Sequence, residues 1–419
     1  MRRIETHRFD NGLVLATETG GSARSAAFSA RLPMGSARDP EGKEGLCAVV
    51  EELLLRGSEG LDSRAQADAF DALGASRGTS TSSFFTGVSA VSMGERMGEV
   101  LPLVMEMVRR PRMDGGGFEA SRDLCVQFVR ALPDDPAERL RHALRARHAP
   151  SPIDKPDIGT EAGLLGLGRE DCVERWGRCA VPGGAYMAVA GAVDHGALVE
   201  ELGGLMEGWE GEGEAVSFDA SGGERGYGHV EQATNQTHIG VAFDGPSEGE
   251  EASVLERVVV GVLSGGMSGR LFTEVREKRG LCYSVGARYA SSRDFGRVTA
   301  YVGTTPERAQ ESLDVLLGEL RRPLEDPSGV TDEESDRAKV GLKARVVMSG
   351  ESTRARAVAL ASDLFRVGTA RSLEAHVERI EGVTAGDVRG YLSGRSLGRM
   401  SVVTVGPVAL DVGAGLLGV

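Results

Sequence analysis

ERMGEVLPLVMEMVRRP (Glu95–Pro111) and ERAQESLDVLLGELRRP (Glu307–Pro323) are the two stretches on which the fold turns. They align without a gap at an offset of 212 residues, about half of a 419-residue chain. Glu95/Glu307, Arg96/Arg308, Glu99/Glu311, Leu101/Leu313, Arg109/Arg321, Arg110/Arg322 and Pro111/Pro323 are identical. Between them the apolar residues recur at helical spacing, and each proline is expected to end its helix. Other landmarks repeat in the same order. Gly159-Thr160 and Gly368-Thr369 each precede a polar helical stretch, and the apolar run YMAVAG (186–191) is echoed by MSVVTVG (400–406). A repeat with its landmarks in register predicts two homologous halves.

The boundary is expected in EGEGEAVSFDASGGERG (210–226), which has the polar, glycine-rich composition of a linker. This gives an N-terminal domain over 1–212, a linker over 213–226 and a C-terminal domain over 227–419. Within each half, strands come in neighbouring pairs and helices in groups. That pattern predicts an α+β fold rather than a regular βαβ alternation.

Composition narrows the function. The 48 basic and 62 acidic residues give a formal charge of −14 with no Lys/Arg-rich cluster. Nucleic acid and anionic membrane are therefore poor partners. No apolar run reaches the length of a membrane span, and the opening MRRIETHRFDNG is not followed by the apolar stretch of a signal peptide. The five cysteines are odd in number and include no C-x-x-C, which fits reduced thiols. A cytoplasmic protein is expected. The 59 glycines have no fixed period and read as tight turns.

Two motifs carry the chemistry. The segment GKEGLCAVVEELLLRGSEG (42–60) predicts a helix, and SGGMSGRLFTEVREKRGLCYSVGARY (264–289) is a glycine turn, a charged helix and a strand. Together they closely resemble pitrilysin/insulinase-type zinc metallopeptidases, a family that includes mitochondrial processing peptidase. In that family the first segment carries H-x-x-E-H, whose positions share one helical face, so that two histidines hold zinc and the glutamate activates its water. Here the three positions are Ala48, Glu51 and Glu52, and the best match to the third ligand is Phe128 in SRDLCVQFVR (121–130). A methyl group and a phenyl ring cannot ligate a metal. The seven histidines offer no i, i+3 or i, i+4 pair elsewhere. No metal and no cofactor are expected in this chain, and the degenerate motif predicts inactivity on its own.

The second motif is intact. The resemblance implies that Arg276 and Tyr283 hold the substrate backbone near the scissile bond, as donors suited to a peptide carbonyl and its developing oxyanion. It further implies two α+β domains, each an antiparallel sheet flanked by helices, forming half of a clamshell. The serine/threonine-rich TSTSSFFTGVS (79–89) matches the family's substrate-receiving edge strand. The function expected is a non-catalytic, substrate-binding subunit paired with a zinc-bearing homologous partner. The alternative is a homodimeric peptide- or protein-binding scaffold without proteolysis.

Overall fold

The protein is described by a computed structural model over residues 2–220 and 222–413. Residue 1, Ser221 and residues 414–419, which fall within the three spans expected from the sequence, lie outside the described residues.

The first half runs β1 (Arg3–Arg8), β2 (Val14–Thr19), β3 (Ser25–Leu32), α1 (Leu46–Leu54), β4 (Gly57–Ser58), β5 (Leu61–Asp62), α2 (Ser63–Ala72), β6 (Ser76–Thr81) and β7 (Thr86–Met93). It continues through α3 (Met97–Arg109), α4 (Gly115–Ala131), α5 (Pro136–His148), α6 (Glu161–Leu165), α7 (Arg169–Cys179), β8 (Tyr186–Gly191) and α8 (His195–Leu205). The second half runs β9 (Gly226–Glu231), β10 (Thr237–Gly245), α9 (Ala252–Ser264), a π-helical turn (Phe272–Glu277), β11 (Cys282–Ser291) and β12 (Gly296–Thr304). Then come α10 (Ala309–Glu325), α11 (Asp332–Ser349), α12 (Thr353–Val367), α13 (Leu373–Glu381), α14 (Ala385–Gly394) and β13 (Ser401–Gly406).

The repeat is visible in the sheets. The first has strand order β1-β2-β8-β3-β7-β6, and the second, read from its far edge, β9-β13-β10-β12-β11. Strand for strand the directions agree: all pairs are antiparallel except β2 with β8 and β9 with β13. The sheets are thus antiparallel, as expected, with one parallel pair each. That pair arises because the last long strand of each half returns through a group of helices rather than a hairpin. The repeated helices α3 and α10 each follow a short 3-10 turn. Pro111 lies just beyond α3, but Pro323 lies inside α10, which continues to Glu325. The expectation that each proline stops its helix therefore fails in the second copy, where Pro323 is buried among the core-facing residues of the last turn.

The chain forms two compact units, and each is discontinuous. Among the described residues the first comprises 2–131, 155–218 and 349–372, and the second 132–154, 219–348 and 373–413. The break at 218/219 falls inside the linker stretch. Two further excursions, four crossings in all, exchange a helix: α12 joins the first unit and α5 the second.

Each sheet is therefore covered on both faces along its middle. In the first unit one face packs Leu15, Phe28, Leu32 and Val189 against α1, α3 and α8. On the other face, Ala357, Leu360, Ala361 and Leu364 of α12 meet Val14, Ala16, Ala27, Ala188 and Ala190, small residues that admit a helix at close range. In the second unit Leu140 and Leu144 of α5 lie on Ala242, Val403 and Val405. A Cβ on Gly240 would approach Leu144 to 3.0 Å. Central strands buried on two faces read as the continuous apolar runs YMAVAG and SVVTVG. The outer strands β7 and β12 alternate buried and half-buried residues, since α12 and α5 cover them only in part.

Candidate functional site

Helix α1 starts at Gly45, whose φ of 109° is one that side chains rarely adopt. Asp39 caps it, its carboxylate accepting hydrogen bonds from the backbone N–H groups of Gly45 (2.8 Å) and Cys47 (3.1 Å). Burial raises the Asp39 pKa to about 6 in spite of those bonds. The apolar face of α1, Leu46, Cys47, Val49, Val50, Leu53 and Leu54, is fixed in the core. Ala48, Glu51 and Glu52 are only half buried. α4 packs along α1, and β6, at the edge of the sheet, borders it.

Burial raises the pKa of Glu51, and the charge of Glu52 adds to the rise, while the hydroxyls of Thr81 and Thr79 on β6 oppose it. On α4 the residue that answers to these charges is Cys125, whose thiol is pushed up to about 12 by burial and by Glu52 and Glu51. Phe128, one turn further on, is 54% exposed. The three family ligand positions thus hold a methyl group, a carboxylate and a phenyl ring. No group of three or more His, Cys, Asp or Glu side chains among the described residues could hold a metal ion. The residues present do not fit a zinc ion.

The second motif assembles differently. Val275 and Leu281 are buried and joined by a backbone hydrogen bond of 3.0 Å, which fixes the turn. Gly280, at φ 60°, then leads the chain into β11. Glu274 is engaged by Lys278 and Arg279, both at 2.7 Å. Among the described residues no carboxylate pairs with Arg276, whose guanidinium lies 4.8 Å from the centre of the Phe272 ring and 5.0 Å from that of Tyr283. Tyr283 is 81% exposed, at the head of edge strand β11, where a bulge between Cys282 and Ser284 shifts the register. The two residues read from the sequence as a substrate-binding pair are therefore in contact, joined by cation–π attraction. Their five donor N–H groups and one hydroxyl can address a carbonyl oxygen. A π-helical turn at such a place is a frequent mark of functional sites.

Two features escaped the sequence reading. The Asp39 cap had a readable signal, an aspartate six residues before the first glycine of a helix. The groove between α5 and the strands β11 and β12 had none, because α5 comes from the other half of the chain.

Residues 170–342 match the family model described as Peptidase M16 inactive domain. An uncharacterized zinc protease of Bacillus subtilis is 25% identical over 396 residues, 92% of this chain and 94% of that one. Another, of Streptomyces coelicolor, is 27% identical over 407 residues, 95% of this chain and 88% of its own. Among solved structures, a peptidase M16 inactive domain from Pseudomonas fluorescens matches with a TM-score of 0.88 at 19% identity, covering 98% of this chain and 99% of that one. A chain of Complex III2 from Candida albicans matches with a TM-score of 0.79 at 18% identity, covering 97% and 96%. At these identities the structures speak for the fold, and the family read from the sequence is the one returned.

Proposed function

We propose, from the premise that this chain is a pitrilysin/insulinase-type M16 peptidase homologue, that it is the non-catalytic, substrate-binding subunit of a zinc metallopeptidase. Arg276 and Tyr283 grip the peptide while a zinc-bearing homologous subunit cleaves it. The observation that carries this reading is an asymmetry. The metal helix has Ala48 where the first ligand belongs, whereas Arg276 and Tyr283 touch each other beside an open strand edge. Six N–H and O–H donors at this turn can stabilise charge on a peptide carbonyl as it becomes tetrahedral.

The test is a peptidase assay on the chain alone and mixed with a zinc-bearing homologue from the same cell. The chain alone is inactive and the mixture active. Tyr283→Phe lowers kcat of the mixture by about a hundredfold, the scale of losing one oxyanion donor, and leaves thermal stability unchanged because the ring is exposed. A mixture indifferent to both Tyr283→Phe and Arg276→Ala overturns the reading.

A further inference from the structure

The outer part of the second sheet, on the face that carries α5, holds a groove of about 670 Å³. One wall is α5 and the floor is β11 and β12. The strand register pairs Arg288 with Thr299 and Ala290 with Arg297, so Arg288 and Arg297 are diagonal neighbours on this one face. Like charges at such spacing repel. Neither has an ion-pair partner among the described residues, and the buried Nε of Arg297 has no hydrogen-bond partner. Burial lowers the Arg297 pKa to about 10, with Arg145 and Arg225 pushing the same way and Asp244 opposing them. Asp244 is already held by Arg225 (2.6 Å) and His148 (3.2 Å). The other basic groups of the wall are also engaged: Arg141 with Glu138 at 2.9 Å and Arg145 with the Ile153 carbonyl at 3.2 Å.

The opposite end of the groove is acidic. Asp135, at the N-cap of α5, is exposed and lies close enough to Tyr301 for its charge to raise the phenol's pKa, burial being the larger cause. Leu140 and Leu144 line the wall between the ends. Arg297 to Tyr301 spans four residues of strand, about 14 Å at ~3.4 Å each. An extended peptide of four residues has that length.

We propose that this groove binds a short peptide with free ends, its C-terminal carboxylate between Arg288 and Arg297, its apolar side chains along Leu140 and Leu144, and its amino terminus at Asp135. The proposal rests on the peptide-handling reading only for its choice of a peptide over other zwitterions. The shape and the charge order are those of a short cleavage product.

The probe is Ala-Leu-Leu-Ala, titrated calorimetrically into the full chain without any partner subunit, together with its C-terminal amide and N-acetyl forms. The free-ended peptide binds, and amidation weakens it at least tenfold. Arg288→Gln, an exposed change that spares the fold, lowers the affinity of the free acid to that of the amide and leaves the amide as it was. Asp135→Asn, which keeps a helix cap, weakens the free amine and not the acetylated peptide. Equal binding of acid and amide, indifference to Arg288→Gln, absence of binding at millimolar peptide, or acetate binding as tightly as the tetrapeptide each overturns the proposal. Because no zinc subunit is present, failure here leaves the Tyr283 experiment standing, and failure there leaves this one.

Discussion

Glu18 and Arg356 form a buried ion pair where α12 crosses β2, with Nε of the arginine 3.0 and 3.2 Å from the two carboxylate oxygens and Nη2 also bonded. Arg356→Ala leaves the buried Glu18 with only the more distant Arg2 at 3.7 Å, so it should cost about 3–5 kcal/mol in urea unfolding. Replacing both by methionine should cost less, since no charge is then stranded. Near α1, Glu51 works against the fold. Its raised pKa means that stability is fully present while Glu51 is protonated and declines as pH rises through its folded pKa. Glu51→Gln should accordingly raise the melting temperature, more at pH 8 than at pH 5. The second unit has the opposite dependence. Burial would raise the Asp244 pKa, but hydrogen bonds from His148 and Arg225 hold it at about 2 against an ordinary 3.8. Its contribution is present above about pH 4 and disappears as pH falls toward 2. Burial also lowers the pKa of His148 from 6.5, so the unfolded chain takes up a proton that the folded chain refuses and stability falls below pH 6.5. Melting curves against pH should show Asp244→Asn less stable than the parent at neutrality, with the gap closing below pH 3. At this scale the sequence was legible where motif and geometry are local. Arg276 and Tyr283 meet because seven residues of turn bring them together, whereas the environment of Asp244 depends on Arg225 and His148, far apart in the chain.

Helix α12 approaches its sheet through alanines, so the contact is specified by what the side chains lack. Ala361→Leu should overfill it and destabilise by about 1–3 kcal/mol, read from the urea midpoint at unchanged slope. The central strands announce themselves as apolar runs and the outer ones as alternations, because burial on two faces or one sets those patterns directly. The exchange of α5 and α12 was not legible in the same way. Leu140 and Leu144, like Leu360 and Leu364, are spaced four residues apart, which specifies a helix with one apolar face and nothing about which sheet it meets. Pro323 misled for a related reason: a proline in the last helical turn forgoes a single hydrogen bond, which burial of its ring can offset.

For the whole chain, the repeat read from Glu95 and Glu307 gives two sheets that share one five-strand order, the first adding β1 at its edge, and that much of the architecture was written in the sequence. A cut near residue 218 does not separate two self-sufficient domains. Residues 1–218 carry α5, which belongs to the second unit, and lack α12, which completes the first. Expressed singly, fragments 1–218 and 219–419 should be insoluble or fail to show cooperative melting. Expressed together they should copurify as one species with the circular dichroism of the intact chain, and a well-folded lone fragment would contradict this. The same arrangement bears on biosynthesis. The first sheet cannot bury its second face until α12 has been made, 176 residues after its last strand ends at Gly191. At ~5–20 residues per second, the ribosome leaves that half-finished layer waiting for about nine to thirty-five seconds, so the nascent chain is a natural client for chaperones that shield apolar surface during translation.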